Sequence, residues 1–453
     1  MTSAHDSRAP HPVSLSQAFW YWLKLGFISF GGPTGQIAIM HQDLVENRRW
    51  ISERRFLHAL NYCMVLPGPE AQQLATYIGW LLHGTRGGIA AGALFVLPSL
   101  FILVALSWIY VCYGNVPAVA AVLYGVKPAV VAIVLAAAWR IGSRALRHPF
   151  LWAVAAAAFI ALFAFALPFP VVILSAALIG LVGGRIAPQV FEMPQHAKGT
   201  GAGGAIIDDT TPTPAHARVS RARLAAVVAT FVALWAAALG ILALIFGWRS
   251  DATQMGWFFT QAALITFGGA YAVLPFVIET AVDGYGWLTA PQMIDGLALG
   301  ETTPGPLIMI VAFVGFVGGW TRPVLDSAFA SGVFCATVAT FFTFLPSFLF
   351  ILAGGPLVES TRDDVKLVAP LTAITAAVVG VIANLVVFFA WHVFWPHATA
   401  ASPLGGGFDF ASAVLAIACA GLLVSKRLDV IPVIAASGAV GLGLWAAGLQ
   451  PAL

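Results

Sequence analysis

Residues 63–75 read CMVLPGPEAQQLA. Two prolines, a glycine and a glutamate interrupt a chain that is otherwise apolar, with FLHALNYCMVL at 56–66 before them and QLATYIGWLL at 73–82 after. Proline lacks an N–H and ends a helix, while glycine turns the chain. Phe56–Leu66 makes about 16 Å of helix, roughly half a bilayer, and Ala71–Leu82 supplies another half. The spacing predicts a helix broken near the membrane midplane, with Leu66–Pro69 as its tip. Irregular backbone at that depth is tolerated only where protein or a wet cavity surrounds it. Free N–H groups at the tip, with the positive end of the outgoing half-helix, predict an anion site. FGGPTGQ at 30–36 is built alike: two glycines, a proline, then Thr34 and Gln36 as donors.

The rest of the chain agrees with a membrane setting. Of its 453 residues 60% are hydrophobic and 9% charged, against about 25% charged in a soluble chain. Apolar runs cover 88–112, 120–139, 150–166 with 170–184, 224–247, 327–353, 369–395, and 410–424 with 430–448. A spanning helix needs about 20 such residues, so the class is an all-α polytopic membrane protein, with the lipid bilayer as its surroundings. A net charge of +3 gives no reason to expect nucleic acid as a partner. Cys63, Cys112, Cys335 and Cys419 are scattered without a CxxC pair, which argues against a disulfide framework, a zinc site or a redox dithiol. With no Rossmann glycine pattern and no haem-type histidine pair, neither an enzyme nor a cofactor is expected. Residues 1–14 form a polar N-terminal tail without the order of a signal peptide. Residues 186–223, rich in Gly, Pro, Thr and charge, read as a flexible linker.

The two halves on either side of that linker are related. Gly31, Trp50 and Pro67 of the first half recur as Gly268, Trp287 and Pro304, each 237 residues on. LPS at 97–99 recurs at 345–347, so the second half gains 11 residues after its Pro-Gly-Pro. The organisation is a first repeat at 15–185, the linker, a connecting transmembrane helix at 224–256, and a second repeat at 257–453. The loop between the motifs carries Arg48, Arg49, Arg54 and Arg55 in the first repeat, whereas its counterpart has no Lys or Arg but Glu279, Asp283 and Asp295. Basic loops stay in the cytoplasm, so equivalent loops are expected on opposite sides, as two inverted-topology repeats of the secondary-transporter kind. If 57–82 enters and leaves on one side, Arg86, Arg140, Arg144, Arg147, the linker, Arg362, Lys366, Lys426 and Arg427 all fall inside; only Arg249 and Arg322 are exceptions. That re-entrant reading puts the linker in the cytoplasm and the C-terminus outside.

FGGPTGQIAIMHQDLVENRRWISERRF at 30–56, then LPGPEAQQLATYIGWLLHGTRGG at 66–88 and LPS, strongly resemble the chromate transporter family in its long, two-domain form. The resemblance is densest at 26–99 and clear again at 257–347. It implies a secondary transporter that exports chromate across the bacterial inner membrane by alternating access and confers chromate resistance, with sulfate as a competing substrate. A sulfate or oxyanion importer and an anion channel remain alternatives, and a homodimer stays open. The family's motif positions present here are Gly31, Gly32, Pro33, Gln36, Arg49, Trp50, Glu53, Phe56, Pro67, Gly68, Pro69, Glu70 and Gln73. The second repeat departs from the pattern: Ala270 replaces the proline, and no arginine matches Arg48 or Arg49.

The substrate-binding set expected from motif and repeat together is Gly31, Gly32, Pro33, Gln36, Arg49, Pro67, Gly68, Pro69 and Gln73, with Gly268, Gly269, Thr302, Thr303, Pro304, Gly305 and Pro306. Glu70 and Glu301 are the expected proton-coupling acids, because an ionisable group at midplane depth is costly. The two acids are not equivalent: their counterparts are Leu307 and Met64. Trp50 and Trp287 are expected as interfacial anchors.

Overall fold

The computed structural model describes residues 13–191, 205–209, 211–212, 214–360, 368–398 and 402–449. Residues 1–12 of the polar tail, 192–204 of the linker, and Arg362 with Lys366 lie outside the described residues. The described chain is helical, and its β contact is one isolated bridge, Ile51 to Ile207. Six helices among the described residues are long and apolar enough to cross a membrane.

The first repeat opens with α1 (Leu15–Ile28), capped by Ser14, whose hydroxyl accepts from the Gln17 N–H while the Gln17 side chain reaches back. The glycine pair ends α1, and α2 (Gly32–His41) returns. A π-turn over Gln42–Asn47 leads to α3 (Glu53–Val65), capped by Ser52. After the Pro-Gly-Pro tip comes α4 (Glu70–Tyr113), broken at His83 and Gly84 into a short and a long segment. Then follow α5 (Pro117–Ala145), α6 (Pro149–Phe163) and α7 (Phe169–Ile186).

The ends of the first four segments gather on one face. The His83 ring bonds to the Val13 carbonyl at 2.8 Å. Tyr21 packs edge-on to Trp50 with ring centroids 5.0 Å apart, and the Arg48 guanidinium lies over both rings. The chain therefore leaves this first face and returns to it twice, in two helical hairpins, α1–α2 and α3 with the short segment of α4. The long segment of α4, 85–113, runs about 43 Å from there to a second face.

The linker departs from a free tether. Ile206 and Ile207 donate to the carbonyls of Arg49 and Trp50, and the Ser52 N–H donates back to Ile207. The Ser52 hydroxyl donates to Asp209 at 2.6 Å, Arg55 donates to the Thr211 carbonyl at 2.8 Å, and His216 meets the Trp80 carbonyl at 2.8 Å. Ile207 and Ala217 are buried. Residues 205–209, 211–212 and 214–217 thus carry a strap over the first face. The connecting helix α8 (Arg221–Phe246) ends at Gly247, φ +85°. Ser250 caps the next helix, so 251–256 belong to that helix and not to the connection.

The second repeat reproduces the first. Helices α9 (Asp251–Ile265) and α10 (Ala270–Ile278), a π-turn at Glu279–Gly284, α11 (Ala290–Thr302), and α12 (Ile310–Thr321) after a 3₁₀ turn form its hairpins. Helices α13 (Ala328–Ser360), α14 (Val368–Phe394), α15 (Phe410–Val424) and α16 (Val430–Ala446) complete it. Fine detail recurs at the same 237-residue separation. The Trp50 N–H bonds to the Leu44 carbonyl at 2.7 Å, and the Trp287 N–H to the Ala281 carbonyl at 2.8 Å. Here the ends gather at the second face: Trp287 donates to Asp251 at 2.8 Å, and Arg322 bridges Asp251, Tyr285 and Gly286. The repeats interlock through their longer helices. Helix α14 packs on α5, α6 and α7, while α5 packs on α15 and α16. Trp50 and Trp287, expected as interfacial anchors, are instead buried beneath these loops; each is wedged between its hairpin ends, a packing role that the loop sequence does not signal.

Candidate functional site

The two Pro-Gly-Pro tips meet the opposite repeat. The Gly68 N–H donates to the Thr266 carbonyl at 2.7 Å, and the Gly305 N–H donates to the Ser29 carbonyl at 2.8 Å. Gly68 matches Gly305 and Ser29 matches Thr266 in the repeat, so the bonds are a reciprocal pair. Both acceptor residues sit just before a glycine pair and are fully buried. Gly68 has φ +122° and Gly305 φ +108°, a conformation that needs glycine.

Free tip N–H groups were expected at Gly68 and Gly305; the structure commits both to carbonyls of the other repeat. The N–H groups left over are those in the first turn after each tip, which have no partner within their own helix.

Side chains converge on these tips. Gln36 is 1% exposed; its amide nitrogen donates to the carbonyls of Gly305, at 2.5 Å, and Ser29, at 3.3 Å. Gln73 is buried, and its nitrogen donates to the Pro67 carbonyl at 2.8 Å and approaches the Ser347 hydroxyl at 3.5 Å. Both amide oxygens are buried without a partner. Gly31 caps α2, Gly32 starts it, and Pro33 is its second residue. Thr302 and Thr303 are placed beside Pro304 and Pro306, but their hydroxyls are spent on carbonyls one turn back.

Two residues that the sequence reading passed over stand at the tips. A Cβ on Gly305 would lie 2.7 Å from the Ser99 Cβ, and one on Gly68 would lie 2.6 Å from the Ser347 hydroxyl. The Ser99 hydroxyl is buried without a partner. The signal was available: these are the serines of the two LPS motifs, which had served only to fix the register.

The two acids, which are not equivalent in sequence, both meet the segment that opens at the second glycine pair, Glu70 at Gly269 and Glu301 at the Tyr271 side chain. Glu70 starts α4 with its carboxyl against its own backbone N–H. It reaches across the repeat boundary, with one oxygen 3.7 Å from where a Cβ on Gly269 would sit. Its other oxygen is buried and unpartnered. Glu301 accepts a short hydrogen bond from Tyr271, two residues beyond Gly269. Gly268, φ +78°, and Gly269, φ +94°, thus have the Glu70 carboxyl beside Gly269, while Glu301 reaches only the Tyr271 hydroxyl.

Arg49 is not brought to this site. It sits on the first face at the far end of α3, about 20 Å along the helix from the tip, exposed and with φ +51°. Arg55 of the same loop is buried instead, 3.4 Å from Glu359 of α13, and Tyr77 donates to that carboxylate at 2.7 Å. No cluster of His, Cys, Asp and Glu able to hold a metal occurs among the described residues.

The arrangement brings buried polar groups of both halves of the chain to two crossed backbone tips. The chromate transporter family profile matches residues 16–181 and 253–442, covering both repeats. A chromate transport protein of Pseudomonas aeruginosa is 34% identical over 97% of this chain and 95% of its own. A second, from Cupriavidus metallidurans, is 28% identical over 97% and 96%. A probable chromate transport protein of Synechococcus elongatus is 31% identical over 83% and 85%. No solved structure matches the chain. On the profile and the relatives together, this multi-pass membrane protein belongs to the chromate transporter family.

Proposed function

We propose that the protein exports chromate from the cytoplasm by alternating access between two inverted repeats, with sulfate as a competing substrate and chromate resistance as the consequence. The observation that carries the reading is the reciprocal bond between each Pro-Gly-Pro tip and the segment before the other repeat's glycine pair. A ligand seated there touches both repeats at once, and hairpins that open on opposite faces give it two exits. Gln36, Gln73, Ser99 and Ser347 border this place, with Gly31–Pro33, Pro67–Pro69, Gly268–Gly269 and Thr302–Pro306 as its backbone. The basic first face is assigned to the cytoplasm of a bacterial inner membrane, which puts the strap inside and the C-terminus outside. The inside-negative potential favours exit of a dianion, by about 2.3 kcal/mol per charge per 100 mV.

Glu70 is proposed as the coupling acid, with Glu301 as its partner from the second tip. The Glu70 carboxyl occupies the positive end of α4, where an oxyanion is best stabilised. Ionised, it competes with the substrate; protonated, it gives way. The test is radiolabelled chromate and sulfate flux in everted vesicles, with and without a pH gradient. Accumulation of chromate that responds to the gradient supports the reading. Flux that merely follows the electrical potential at channel-like rates overturns it in favour of an anion channel.

A further inference from the structure

A lysine and an aspartate meet inside the membrane away from the tips. Lys127 lies ten residues into α5, about 15 Å from the second face. Its ammonium is 3.8 Å from Asp295 of α11, and Asp295 also accepts from Tyr110 of α4 at 3.0 Å. A lysine at such depth is costly and marks a pathway more often than a scaffold.

The pair is loosely made. At 3.8 Å the ammonium is beyond hydrogen-bond distance of its counter-ion, and it makes no hydrogen bond among the described residues. The other Asp295 oxygen is buried without a partner. The Lys127 side chain keeps 27% of its exposure while Asp295 keeps 5%. The opposite end of the molecule offers a contrast. There Arg55 and Glu359, also joined across the repeats, are both nearly buried at hydrogen-bond distance, with the Thr211 carbonyl as a further acceptor for Arg55 and the Tyr77 hydroxyl as a further donor to Glu359. In that pair both charges are hydrogen-bonded and both carboxylate oxygens are taken; among the described residues Lys127 has no hydrogen bond and Asp295 an unpartnered oxygen.

We propose that Lys127 is a second binding station for the transported tetrahedral oxyanion, on the second-face side of the tips, with Asp295 as a built-in competitor that the anion displaces. The inference rests on the transport reading above. An oxyanion offers Lys127 an acceptor at full hydrogen-bond distance, which Asp295 does not. The displaced Asp295 keeps the Tyr110 hydroxyl. Lys127, Asp295 and Tyr110 are the titratable groups in mutual contact here, one from each of α5, α11 and α4.

The test is chromate counterflow in oriented proteoliposomes, with half-saturating chromate measured from each face. Lys127→Gln removes one charge-assisted bond and should raise the second-face value about tenfold, leaving the first-face value unchanged. Asp295→Asn removes the competitor and should lower the second-face value. A structural ion pair behaves otherwise: both variants then impair transport alike from both faces, and that result overturns the proposal. To hold folding constant, Lys127→Cys on a background without the four native cysteines is treated with an aminoethyl or a hydroxyethyl thiosulfonate. Recovery with the cationic adduct alone supports the station; equal behaviour of the two adducts overturns it. Wild-type protein without any counterflow sinks the transport reading and this inference with it. Normal wild-type counterflow with unmoved variants sinks this inference alone.

Discussion

At Gly68 a single methyl group decides the site. Its φ of +122° disfavours any side chain, and a Cβ there would stand 2.6 Å from Ser347 and 2.8 Å from the Gln73 amide. Gly68→Ala should therefore abolish chromate flux while the protein still inserts and purifies as a folded species, because only the tip is displaced. Gly305→Ala should do the same through Ser99. Flux at wild-type rate in either variant would move the site away from the tips. Glu70 presents the opposite case, a side chain whose charge matters more than its bulk. Two unit charges 4 Å apart interact by about 4 kcal/mol at an effective dielectric of 20, and a dianion roughly doubles that. Chromate should accordingly bind tighter as pH falls and Glu70 takes up its proton, and bound chromate should hold that proton. Glu70→Gln should bind at least as well as wild type with a flatter pH profile, and should lose proton-driven flux. Glu301→Gln is the control for the other tip. An unaltered profile in Glu70→Gln makes the acid structural.

Among the elements, the strap has the clearest local consequence. Ile207 is buried against the first face, and its backbone pairs with Trp50 and Ser52. Burying such a side chain contributes about 1.5–3 kcal/mol, so Ile207→Ser should lower the unfolding midpoint and reduce flux several-fold. Deleting 192–200 should leave flux near that of wild type, as the linker composition suggests. A differential scanning measurement paired with initial flux rates distinguishes the two segments; equal tolerance of both changes would mean that the strap holds nothing. The strap also illustrates what sequence can and cannot carry. The broken helices were legible because Pro-Gly-Pro and Gly-Gly change the backbone itself, and the repeat because those motifs keep one register. The strap was not, since its pairing with Arg49, Trp50 and Ser52 runs through main-chain atoms that any residue possesses, and its few side-chain contacts, from Ile207, Asp209 and His216, follow no pattern. The tip contacts were hidden for the same reason: Ser29 and Thr266 contribute carbonyls. Lys127 was masked by an apolar run in which it is one residue, and its partner Asp295 by being counted as a loop charge. Arg49 was drawn into the expected site by the family motif, although the length of α3 holds it at the surface.

For the whole molecule, the arrangement of the repeats decides whether transport by rocking is available. The ends of the first repeat's hairpins gather around Val13, Trp50 and His83, and those of the second around Asp251, Trp287 and Arg322. The long segment of α4 separates the two groups by more than the thickness of a hydrocarbon core, about 30 Å. If the repeats are inverted, any conformation of one is available to the other with the faces exchanged, and a single structural change supplies both the inward-open and outward-open states. Asn47 and Gly284 test this directly. They occupy equivalent positions in the two π-turns, and both are exposed. On a background without native cysteines, Asn47→Cys should react with a membrane-impermeant thiol reagent only from the cytoplasmic side, and Gly284→Cys only from the opposite side. The expectation follows from four arginines flanking the first loop against the acids of the second. Reaction of both cysteines from one side would remove the inverted arrangement. Without it the crossed tips have no second exit, and alternating access between the repeats fails as a mechanism even if the protein still moves chromate.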